Sequence, residues 1–116
     1  MKTDAQPGQN ANPKLTAALD LLWMRFLPEI RERVAILESA AAACAANQLT
    51  KEQLDMANSA AHKLAGALGT FSLARGTDLA REFEFLSSRE TPPEPDLANR
   101  LGSIAAELRV VIDSRK

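Results

Sequence analysis

The chain predicts an all-α fold: an antiparallel up-down bundle of four helices, with an additional helix at its N-terminal side. Three observations predict it. Hydrophobic residues make up 46% of the 116 residues but aromatics only 4%, with no tyrosine. Alanine and leucine therefore supply most of the apolar count, and both favour helix over strand. Apolar residues recur at helical spacing in successive segments, and no segment shows the period-2 alternation of a strand. Short connections between such segments pack them as antiparallel neighbours. The length suits one domain with a single core.

Residues 1–13 are polar, contain Pro7, Gly8 and Pro13, and read as a disordered tail. Residues 14–116 read as the helical domain. From Leu15 to Leu27 apolar residues fall at 15, 18, 19, 22, 23, 26 and 27, giving a helix expected to cover one end or side of the bundle. Pro28 ends or kinks it, because its ring disfavours helical backbone at the residue before. Pro28 also suits the first position of a following helix, where its missing N–H is harmless. Ile30, Val34, Leu37, Ala41 and Cys44 then form one stripe, and Asn47-Gln48 breaks the run.

Thr50 opens the next helix, with Gln53 placed to complete a capping box, and this helix runs to about Phe71. Another follows from about Ala74, its inner face formed by Leu73, Gly76, Leu79, Ala80, Phe83 and Leu86. Thr91-Pro-Pro-Glu-Pro95 is a loop. Pro95-Asp96 leads into the last helix, whose stripe is Leu97, Leu101, Ile104, Leu108, Val111 and Ile112.

Fourteen basic and fifteen acidic side chains leave a net charge of −1, so nothing marks the chain for nucleic acid or an anionic membrane. No apolar run reaches the roughly 20 residues of a membrane span, and the N-terminus lacks the apolar centre of a signal peptide. A soluble, cytoplasmic monomer is the expectation. Cys44, the single cysteine, lies in an alanine run and reads as a buried spectator thiol.

His62 is the single histidine, and it sits mid-helix. At 100° per residue, Asp55, Asn58, Gly66 and Gly69 lie within about 40° of it. Gln53, Ala57, Ala60, Leu64, Leu68 and Phe71 lie opposite, as an apolar stripe. The histidine is thus at the centre of the outward face, not in the core. Each mid-helix glycine costs about 1 kcal/mol relative to alanine, and Ala61 and Ala65 keep the flanks low. A merely solvated face would carry Glu, Lys and Arg there. The glycines read as room for something large to approach the ring.

One exposed histidine restricts the chemistry. A zinc site needs three or four ligands, and there is no second histidine or cysteine. A hydrolytic triad needs a pocket and an oxyanion hole, which a convex helix face does not supply, even with Ser59 nearby. Attack by the imidazole itself needs only access. A free imidazole titrates near pH 6.5 and is largely neutral at cytoplasmic pH, so it can act without a dedicated base.

The run Ala61-His62-Lys63-Leu64-Ala65-Gly66-Ala67-Leu68-Gly69 resembles the signature of histidine-containing phosphotransfer domains: a histidine, a leucine two residues on, and a glycine four residues on. The stretch Leu73 to Glu84 is similar to the family's leucine-rich following helix, which ends in leucine or phenylalanine plus glutamate. The resemblance covers about residues 28 to 113. It implies a helical bundle, phosphorylation of His62 on Nε2, and exchange with the aspartate of a response-regulator receiver domain or of a hybrid histidine kinase. Gly66 would leave room for the phosphoryl group and the docking receiver. No cofactor is implied for this chain, the magnesium belonging to the receiver.

The family often has a lysine three residues after the histidine. Here that position is Ala65, and Lys63 is the nearest positive charge, its stem long enough to reach towards the ring. Docking is expected over Asp55, Asn58, Ser59, His62, Lys63, Gly66 and Gly69, with apolar contact from Ala42, Ala43 and Ala46 of the preceding helix.

The resulting expectation is a phosphocarrier without catalysis of its own. The alternative is a helical adaptor that binds a receiver or kinase without accepting phosphate. A kinase dimerisation domain would need an ATP-binding domain that 116 residues do not accommodate. The leading Met and polar start point to a free-standing protein, not a piece of a larger kinase.

Overall fold

The computed structural model describes residues 12–88 and 96–115. They form four helices: α1 Pro13–Ala45, α2 Lys51–Thr70, α3 Ala74–Leu86 and α4 Leu97–Ser114. Each packs against its two neighbours in sequence order, α4 closes the ring on α1, and the diagonal pairs do not meet. The chain therefore runs up, down, up, down around one core of aliphatic side chains, with Phe83 as its largest fully buried residue. The expected loop at Thr91–Pro95 lies outside the described residues.

The additional N-terminal helix is not separate. Residues 13–45 form one 33-residue helix with Pro28 inside it. Trp23, Ile30, Val34 and Leu37 continue a single buried stripe across the proline, and that packing outweighs the local backbone penalty. Pro28 and Met24 are both exposed, so water can serve the Met24 carbonyl that the proline leaves without a donor. The helix also begins inside the stretch read as a tail. Asn12 caps it by accepting a hydrogen bond from the backbone N–H of Lys14 at 2.8 Å, and Pro13 takes the first helical position. Residues 1–11 of that tail lie outside the described residues.

The turns are short, and their chemistry is specific. After α1, Asn47 adopts φ 58°; its N–H bonds to the Cys44 carbonyl and that of Gln48 to the Ala43 carbonyl. After α2, Ser72 adopts φ 59°, with Ser72 N–H on Gly69 and Leu73 N–H on Leu68. Both are Schellman ends with a non-glycine residue in the left-handed position. Thr50 and Gln53 form the expected capping box at the start of α2. At Gly76 a Cβ would lie 2.8 Å from Leu68 Cδ1 and 3.3 Å from Val111 Cγ1, so its missing side chain sets how closely α3 seats. Cys44 is half-buried, more open than its alanine-rich surroundings imply.

Candidate functional site

His62 stands on the outer face of α2, its side chain 74% exposed. Its Nδ1 lies 2.9 Å from Oε2 of Glu84 on α3. The three-residue turn between α2 and α3 produces this contact. It brings level those residues that are equally far from Leu73, and His62 and Glu84 each lie eleven positions away, about 16 Å along either helix. A carboxylate only accepts, so Nδ1 is the donor in this contact, and in the neutral ring Nε2 keeps the lone pair. The glutamate thus fixes both the tautomer and the orientation of the ring.

Asn58 is half-buried and turned towards α3, where its Nδ2 donates to the Glu84 carbonyl at 2.7 Å and to Ser87 Oγ at 3.1 Å. Its angular position lies near His62, but α3 arrives on that side and recruits the amide into the helix–helix joint. Ala61 and Ala65 are buried; they wall the core and do not form part of the clearing. The open surface is made by Asp55, Ser59, Lys63, Gly66 and Gly69, all exposed. Around Gly66 a Cβ would meet nothing within 4 Å, and at Gly69 it would touch Thr77 Oγ1 at an ordinary 3.7 Å. Neither glycine is required by packing within the chain.

The two flanks of His62 differ. Towards α3 lie Asn58, Ala65 and Glu84. Towards α1 lie Ser59, Lys63 and Met56, the last lining a groove of about 370 Å³ with Ala35, Ile36, Ala40, Glu32 and Gln53. Of the alanines expected to assist docking, Ala42 lines a different groove, between α1 and α4, and Ala46 caps α1. Ile36 of α1 and Met56 of α2 line the groove between these two helices instead. Ala65 is buried on the α3 side, and Lys63 projects from the opposite flank.

Glu84 was legible only through the motif it ends. Its pairing with His62 needed the length of the turn. Among the described residues no three His, Cys, Asp or Glu side chains gather as metal ligands, and no helix is long and apolar enough to cross a membrane.

The family model for the Hpt domain matches residues 21–111. The chain belongs to this family. Hpt domains are helical phosphocarrier modules of two-component signalling, and the up-down bundle with a histidine at the middle of α2 is their architecture in this chain. Protein RcaC of Microchaete diplosiphon is 32% identical over 97 residues, which is 84% of this chain and 15% of RcaC. The chain thus spans a small part of that relative's length. No solved structure matches it.

Proposed function

We propose that this Hpt domain carries a phosphoryl group on Nε2 of His62, accepting it from a receiver aspartate and passing it to another receiver. The observation that carries the reading is the Nδ1–Glu84 contact on an exposed ring. It supports attack by Nε2 on the phosphorus of an aspartyl phosphate: the N–P bond forms, the P–O bond breaks, and the aspartate leaves as a carboxylate. The reverse step returns the group to a carboxylate oxygen. Positioning and charge neutralisation dominate such transfers, so the chain needs to contribute only a correctly oriented nucleophile and a surface on which a receiver fits.

That surface is centred on His62 and takes in Asp55, Ser59, Lys63, Gly66 and Gly69, with Met56 and Ile36 as apolar contacts on the α1 side. Asn58 acts indirectly, by holding α3 and hence Glu84 in place. Lys63 supplies the positive charge nearest the phosphoryl oxygens. The magnesium that such transfer uses is held by the receiver.

The test is transfer from phosphorylated receiver domains of the same organism to wild type and to His62→Gln. Wild type should take up label in an acid-labile, base-stable linkage and the variant none. Labelling of the variant, or failure of every receiver to label wild type, removes the proposal. Receiver binding that persists in His62→Gln, with the signalling output intact, would instead favour the adaptor reading.

A further inference from the structure

Five of the large hydrophobic side chains that stay exposed sit in the first half of α1: Leu15, Leu21, Leu22, Met24 and Phe26. At 33 residues α1 is about 50 Å long, whereas the 20-residue α2 reaches about 30 Å. Phe26 shares a groove with Thr70 and Phe71, so α2 ends at its level. Below that point no helix lies on the side of α1 on which α2 packs, among the described residues.

The stripe there is Leu15, Leu19, Leu22 and Phe26, spaced 4, 3 and 4 residues; Leu15, Leu22 and Phe26 are exposed, and Leu19 is half-buried against the edge of the core. This is two heptads of a coiled-coil seam, and its spacing reads the same in both directions. Asn12 ends it on one side, and the exposed Glu29–Arg33 ion pair ends it on the other.

We infer that this seam pairs with its own copy, two α1 helices crossing antiparallel about a two-fold axis. A two-fold interface requires a self-complementary patch, and the palindromic spacing supplies one: Leu15 meets Phe26 of the second copy, and Leu19 meets Leu22. The flanking charge Arg25 falls opposite Ala18, so no like charges are apposed. Each α1 then runs parallel to the second copy's α2. His62 lies in the middle of α2, away from the seam, and stays accessible.

Two short heptads bury on the order of 1,000 Å² in total, near the lower bound for specific interfaces. The dimer is therefore concentration-dependent, and it replaces the monomer expected from composition.

Sedimentation velocity on the full chain from about 5 to 500 μM tests this. Wild type should shift towards twice the 12.5 kDa chain mass as concentration rises. Leu15→Glu with Leu22→Glu should stay monomeric and keep its helical circular dichroism. Met24→Glu, on the opposite side of the helix, should dimerise as wild type does. A wild-type monomer throughout overturns the proposal, as do a dimer indifferent to the double substitution and one equally disrupted by Met24→Glu. A monomer whose melting temperature drops with the double substitution would assign the seam to a cover within the same chain, and also overturns it.

Discussion

Around α4, arginines and carboxylates tie the helix to both neighbours. Arg109 forks onto Glu38 of α1 at 2.7 and 2.8 Å, Arg100 forks onto Glu82 of α3, and Glu107 and Asp113 receive Arg75 and Arg31. The outer face of α2 is built otherwise. It meets α3 through the His62–Glu84 pair and the neutral amide of Asn58, and its centre is left low by Gly66 and Gly69. Long side chains closed onto their own partners suit a face that nothing else needs to reach. A face on which, in the proposed function, a receiver domain docks cannot be filled that way. The bundle is clamped away from that face, so the proposal predicts that stability and transfer can be altered separately.

The largest expected effect comes from refilling the open face. Gly66→Arg should lower phosphotransfer by about tenfold or more, since misplacing the reacting groups by even 1 Å is costly, without lowering the melting temperature. Gly66→Ala should raise stability by about 0.5–1 kcal/mol, because its Cβ meets open space and alanine is the better helix former. Loss of stability in Gly66→Ala would break the contrast.

Next is the ring's support. Glu84→Ala should slow phosphorylation of His62 roughly ten- to hundredfold, by analogy with removal of the carboxylate that orients a metal-ligating histidine. Glu84→Gln, whose amide oxygen still accepts from Nδ1, should retain more. Single-turnover transfer with receiver binding measured in parallel distinguishes this from poor docking. Equal rates in all three proteins would remove Glu84 from the site.

Changes in the packed interior should act first on stability. Gly76→Val places atoms where Leu68 and Val111 already pack and should cost about 1–3 kcal/mol, read by denaturant midpoint, with transfer by the folded protein falling only as far as the displaced α3 moves Glu84.

The smallest effect is at Arg109. Its hydrogen bonds hold the Glu38 carboxyl below its ordinary value of 4.5. Folded Glu38 then binds protons less readily than unfolded Glu38, so its contribution is present above about pH 4.5 and fades as pH falls through the folded value. Both side chains are more than a third exposed, so Arg109→Met should cost less than about 1 kcal/mol at neutral pH. Its stability should also fall less steeply than wild type below pH 4.5, as urea titrations across pH would report.

The helices and the outward placement of His62 were legible because both are local. Period, caps and angular position are written within ten or twenty residues, and Thr50, Gln53 and His62 behave as their sequence context dictates. Pro28 misleads because its local rule competes with a buried stripe extending from Trp23 to Leu37, which a local reading cannot weigh. Asn58 and Ala65 mislead for a related reason: a helical wheel gives angles around one axis but not which side the neighbouring helix occupies. Glu84 becomes a partner of His62 only once the turn at 71–73 sets the register of α2 against α3.

Trp23 packs edge-on against Phe71, with ring centroids 5.0 Å apart, and the Arg115 guanidinium lies over both rings. With no tyrosine in the chain, near-ultraviolet absorbance and intrinsic fluorescence come almost entirely from this one indole. Phe71, just past the end of α2, lies nine residues from His62, about 13 Å, so the chromophore is set apart from the imidazole. Its emission therefore follows the opening of the α1–α2–α4 end of the bundle, and unfolding can be recorded optically in samples turning over phosphate.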